Sequence, residues 1–127
     1  MPVHLNHTIV AARDRHEAAN FLAEILGRNP PTTYGPFAVV ELDNDVSLDF
    51  LDDPEVHPRH YAFLVSEAEF DEIFERIQER GLDFWADPFE RLPGEINTND
   101  GGRGVYWSDP NGHKLEIITV PYGGWPV

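Results

Sequence analysis

The sequence predicts an α+β fold made from one unit used twice, each unit running strand, helix, then about three strands. Three observations predict it. Residues 6 to 27, NHTIVAARDRHEAANFLAEILG, and residues 59 to 81, RHYAFLVSEAEFDEIFERIQERG, both place a histidine on a short apolar run. Both continue into a helix opened by a capping side chain with a glutamate three positions later, and both stop at glycine. The same offset separates His7 from His60 and Phe21 from Phe74, and Gly27 from Gly81 differs by one residue. Two unrelated amphipathic helices would share neither the histidine, the cap nor the stop.

The elements follow in order. LNHTIV alternates as a strand does and puts His7 on one face with Leu5 and Ile9. Asp14 with Glu17 opens the first helix. Phe21, Leu22, Ile25 and Leu26 form its apolar stripe, and Gly27 ends it. FAVVEL and VSLDFL then read as strands. The linker DDPEVHPR, rich in proline and charge, separates the first unit, about residues 4–53, from the second, about 59–120. Both are expected to belong to one domain spanning 1–127. HYAFLV puts His60 on a face with Ala62 and Leu64. Ser66 with Glu69 caps the second helix, whose stripe is Phe70, Ile73, Phe74 and Ile77 before Gly81. LDFWA, GVYW and KLEIIT are the remaining strands, the last two joined by the tight turn SDPNG. The polar stretch DPFERLPGEINTNDGGRG is read as a long loop, and a loop of that length in a compact domain is often functional.

Composition bounds the function. The chain of 127 residues, 41% hydrophobic, is long enough for a real core. Its formal net charge of −14 disfavours nucleic acid, since phosphate binding needs clustered Lys and Arg. No apolar run approaches a membrane span. With no cysteine, disulfides, thiolate metal sites and cysteine nucleophiles are excluded. No charged-then-apolar leader opens the chain, so the expected location is cytoplasmic.

Glu116 stands out. It lies between Leu115, Ile117 and Ile118 on a strand that should be well buried, and a carboxylate there is costly unless something positive meets it. His7 and His60 sit on corresponding strands of the two units, each among apolar residues. One such group is usually a hydrogen-bonded oddity of the core. Two imidazoles and a carboxylate together suggest a three-point site for a divalent metal, with positions open to water or substrate.

The stretches LNHTIV, HYAFLV and DPNGHKLEI resemble the vicinal oxygen chelate superfamily, which includes glyoxalase I, extradiol dioxygenases, fosfomycin-thiol transferases and bleomycin-resistance proteins. The resemblance covers roughly residues 4 to 120. It implies paired βαβββ units forming a curved mixed sheet around a cleft, with His7, His60 and Glu116 where the family's metal ligands lie. It implies one divalent ion, Fe²⁺, Zn²⁺, Ni²⁺ or Mn²⁺, and a small-molecule substrate chelated through two oxygens. It also implies a homodimer, because many one-chain members complete the cleft with His7 from one chain and the other two ligands from its partner.

Asp49, in SLDF, is the nearest equivalent of the fourth ligand of glyoxalase I, but it is one carbon shorter than the usual Glu. Tyr106 falls where related dioxygenases and transferases place a tyrosine pointing at substrate; a core aromatic with its hydroxyl at the surface is the other reading. His57 pairs with His60 only as HPRH, where Pro58 forbids helical spacing. His113 belongs to a turn, and His4 and His16 read as exposed. Phe84, Trp85 and Trp107 read as core or cleft wall, and Arg103 as part of a mobile loop. Glu116 and Tyr106 are therefore the expected catalytic pair.

Extradiol-type dioxygenation fits the triad and Tyr106, although the further acid–base histidine of the familiar enzymes has no counterpart here. Fosfomycin binding is disfavoured. The family's Thr, Lys and Arg for the phosphonate are replaced by Ile9, the Ala86–Asp87 region and the Arg-free TVPYGGWP. Glyoxalase-like lyase or isomerase work, thiol or epoxide transfer, and antibiotic sequestration without catalysis stay open.

Overall fold

A computed structural model describes residues 1–124. The elements run β1 (His7–Ala12), α1 (Arg15–Leu26), β2 (Thr32–Tyr34), β3 (Phe37–Glu41), β4 (Ser47–Asp52), β5 (His60–Leu64), α2 (Glu67–Glu79), β6 (Phe84–Trp85), β7 (Gly104–Ser108) and β8 (Lys114–Ile118). Two compact units divide between His57 and Pro58.

In the first unit the sheet order is β1-β4-β3-β2. β1 and β4 are parallel, and the remaining pairs are antiparallel. A parallel pair cannot be closed by a tight turn, so the chain crosses over through α1 between them. Asp14 caps α1, accepting from the backbone N–H of His16 at 3.0 Å and Glu17 at 3.2 Å. Gly27 ends it at φ 68°, a left-handed conformation that costs glycine nothing, and its N–H turns back to the carbonyls of Ala23 and Glu24. The buried stripe is fuller than the large apolar residues alone suggest. Ala18, Ala19 and Ala23 join Leu22, Ile25 and Leu26, while Phe21 is only half-buried. The small residues let the helix approach Val10, Ala12, Ala38, Val40, Leu48 and Phe50, the buried faces of the strands.

The second unit repeats the plan, with order β5-β8-β7-β6 and β5 parallel to β8. Ser66 caps α2 through the N–H of Glu69 at 3.1 Å. Phe70, Ile73 and Ile77 face Val105, Trp107, Leu115 and Ile117, all buried. Phe74 bridges outward, with its ring 5.9 Å from Phe70 and 5.0 Å from Phe84.

The long polar loop is tied down at several points. The Asp87 carboxylate accepts from the N–H groups of Phe89, Arg91 and Leu92. Asn97 donates to the Ala86 carbonyl at 2.9 Å and pairs by backbone with Gly104. A Cβ at Gly104 would lie 2.9 Å from the Asn97 side chain, so glycine is what lets the two backbones meet. Among the described residues no helix is long and apolar enough to cross a membrane.

Candidate metal centre

β8 is a central strand, with β5 on one side and β7 on the other. Its alternation sends Leu115 and Ile117 to the helix-covered core and Lys114, Glu116 and Ile118 to the opposite face. Ala62 of β5 and Tyr106 of β7 are the register partners of Glu116. The small Ala62 leaves room on that face, and His60 reaches into it from the start of β5.

Glu116 is fully buried, at 0% exposure. Its Oε1 lies 2.9 Å from His60 Nε2. Its Oε2 accepts a hydrogen bond from the Tyr122 hydroxyl. The Tyr122 and Tyr106 hydroxyl oxygens are 2.8 Å apart. Since the single Tyr122 proton goes to Glu116, Tyr106 is the donor in the second bond. The Tyr106 ring stacks beside His60 at 5.8 Å. Burial, then the bonds to Tyr122 and Glu116, push the Tyr106 phenol well above its ordinary pKa. Burial and the Glu116 bond likewise raise Tyr122. Both are neutral phenols at physiological pH.

The pair fits a divalent ion. The 2.9 Å contact between His60 Nε2 and Glu116 Oε1 is a hydrogen bond, and loss of its proton would leave both atoms as donors to one divalent ion. His60 is 45% exposed, so its side of the pair is open to solvent. An imidazole and a carboxylate are donors that Fe, Zn, Ni and Mn all accept.

His7 opens β1 and is exposed. Its Nδ1 is 2.7 Å from Asn6 Oδ1, which can only accept. The donated hydrogen therefore sits on Nδ1, the arrangement in which a supporting partner orients a histidine whose Nε2 could hold a metal. Among the described residues no three His, Cys, Asp or Glu side chains gather into one cluster. The neighbours of the two histidines on their strand faces are solvent-facing rather than core: Leu5, Ile9 and Leu64 are all more than half exposed.

Asp49 is the register partner of Ile9, two residues beyond the His7–Ser47 pair, on the same face of the first sheet. It accepts from the Ser47 hydroxyl at 2.7 Å and is half-buried. Arg103 is no mobile loop residue. It bonds Glu67 at 2.7 Å, pairs with Asp71 at 2.9 Å and lies 4.3 Å over the Phe70 ring, pinning its loop to α2. The cation on the face of Glu116 is instead Lys114, held against Trp85 at 4.1 Å and Glu90 at 3.1 Å. His113 is buried within the turn, accepting from the Arg59 N–H at 2.9 Å. His57 is exposed beside Glu55, and His4 and His16 are exposed.

Nothing in the sequence points to Tyr122 as a neighbour of Glu116. Pro121, Gly123 and Gly124 around it do signal a turn. No residue spacing, however, indicates that such a turn returns a phenol to Glu116.

The chain matches the family model of the Glyoxalase/Bleomycin resistance protein/Dioxygenase superfamily over residues 4–117, and it belongs to that family. Its structure is similar to that of Oxidase ChaP-H1 (TM-score 0.95, 68% identity, covering 97% of this chain and 100% of that one). It is also similar to Oxidase ChaP-H2 (TM-score 0.95, 62% identity, 98% of each chain). Among curated proteins, the Glutathione transferase FosA of Serratia marcescens is 28% identical over 89% of this chain and 78% of its own length.

Proposed function

We propose that this chain is a metal-dependent oxidase that uses dioxygen on a small molecule bearing two neighbouring oxygens, with extradiol-type dioxygenation as the reaction. The observation that carries it is the fully buried Glu116 paired with His60 at 2.9 Å. Two relatives above 60% identity that are named oxidases favour oxidation over the transferase chemistry named for FosA.

His60, Glu116 and His7 are the proposed ligands. A divalent ion bound there would stabilise negative charge developing on the substrate oxygens and leave positions open. Glu116 neutralises part of the ion's charge. Tyr106 relays a proton: its phenolic oxygen takes one from the substrate as its own passes to Tyr122 and that of Tyr122 to Glu116, and the relay runs in reverse to return it. Ala62 and Leu64, both exposed beyond His60 on β5, offer apolar surface to the substrate's carbon frame. Arg103 is committed to α2 and Lys114 to Glu90, so few cations remain for a dianion, and the substrate is neutral or singly charged. The proposed assembly is a homodimer.

The test begins with metal content of protein purified without added metal, followed by anaerobic Fe²⁺ loading and a catechol screen for oxygen uptake. The expected result is one ion per chain, with uptake that needs the ion and puts both oxygen atoms into the product. Glutathione addition to an epoxide, with no oxygen consumed, would put the transferase reading in its place. Light scattering should give about twice 14.4 kDa; a monomer would remove the homodimer.

A further inference from the structure

We infer that Tyr122 is a positioning residue for Glu116 and sets how tightly the chain holds its metal. The inference rests on the reading of His60 and Glu116 as ligands.

The two oxygens of Glu116 have different neighbours. Oε1 faces His60 Nε2 at 2.9 Å. Oε2 is turned away to the Tyr122 hydroxyl. A glutamate carboxylate rotates freely about its last bond, which is broad and nearly two-fold. The phenol at Oε2 fixes that rotation and so aims Oε1 at the point shared with His60. Because Glu116 is fully buried, little solvent reaches Oε2 to replace a missing donor. Partners of this kind orient metal ligands, and their loss typically lowers metal affinity by about 10–100-fold.

Tyr122 is itself held by a chain of contacts. The Tyr122–Gly124 turn closes through the Gly124 N–H and the Pro121 carbonyl at 2.8 Å. Just before it, Thr119 and Arg103 exchange two bonds: Arg103 N–H to Thr119 Oγ1 at 2.8 Å, and Thr119 N–H to the Arg103 carbonyl at 3.0 Å. Gly102 permits this approach, since a Cβ there would come within 2.6 Å of Thr119 Oγ1. The Arg103 guanidinium is in turn clamped to Glu67, Asp71 and Phe70 on α2. The long loop therefore anchors the segment that carries Tyr122, and α2 anchors the loop.

The experiment titrates metal-free full-length protein with Co²⁺, following heat and the visible absorption of the bound ion. Tyr122→Phe keeps the ring over Glu116 and removes only the donor. Its Kd should rise about 10–100-fold, and the cobalt bands should shift as the carboxylate reorients. Tyr122→Leu should show the same loss. Tyr34→Phe, whose hydroxyl lies on the exposed strand β2, should bind like wild type. Far-ultraviolet spectra of the metal-free variants should overlay. Equal affinity of wild type and Tyr122→Phe would overturn the inference alone. So would tighter binding by Tyr122→Phe, which would make the hydroxyl a competitor of the ion. A wild type that binds no Co²⁺ would overturn this inference and the proposed metal dependence together.

Discussion

His60→Ala should abolish metal binding and turnover together. The imidazole is one of the proposed ligands and is hydrogen-bonded to another, Glu116, at 2.9 Å. The fold should survive, because His60 is 45% exposed and water can enter the vacated space beside Oε1. Glu116→Gln is the complementary change. It keeps volume and hydrogen-bonding capacity in a fully buried position and removes only the charge. It should also lose the ion, whereas a purely packing role for Glu116 would leave the ion in place. Elemental analysis after gel filtration, alongside turnover on the substrate found by the oxygen-uptake screen, measures both. Stoichiometric metal in His60→Ala would remove His60 from the ligand set.

The same two residues show how far a sequence can be read. Glu116 was legible because burying a charge is expensive, and period-two alternation already says which strand residues are buried. His60 was legible because the repeat places it where His7 stands in the first unit. The helices were legible from Asp14, Ser66 and the glycines that stop them, since caps and left-handed stops are local chemistry. The strand β2 was harder to read. Thr32–Tyr34 is exposed throughout and carries no periodic signal, whereas β6, Phe84–Trp85, lies inside the predicted strand LDFWA. Sheet pairing, not pattern, defines β2.

Arg103 and Tyr122 mark the boundary of such reading. GGRG in a polar loop looks mobile, because nothing local reveals that Glu67 and Asp71 wait on α2, more than thirty positions earlier in the chain. Tyr122 is close in sequence to Glu116, yet its contact depends on a turn whose direction comes from Gly102 and Thr119 meeting without a side chain between them. Contacts made by long-range backbone placement leave no periodic trace. Each of these two residues became interpretable only through its partner.

Tyr106→Phe is the second large effect. A positioned acid–base group typically contributes about 10²–10⁴ in rate, and turnover should fall by that order. The phenol sits on the register partner of Glu116 and stacks beside His60, so it borders the open side of the pair. Burial holds its pKa above the ordinary value for tyrosine, so it enters each turnover as a neutral phenol. It is not a member of the proposed ligand set, so the variant should still load one ion per chain, which separates it from His60→Ala. The deletion removes one hydroxyl from a ring that is 5% exposed and leaves the ring packed, so the fold is not at issue. The fall should appear in kcat more than in KM, since a proton transfer is felt in the transition state and hardly in the bound substrate. Steady-state kinetics of wild type and variant on one substrate, each loaded to one ion per chain, make the comparison. A variant with wild-type kcat would reduce Tyr106 to a packing residue whose hydroxyl serves only to donate to Tyr122.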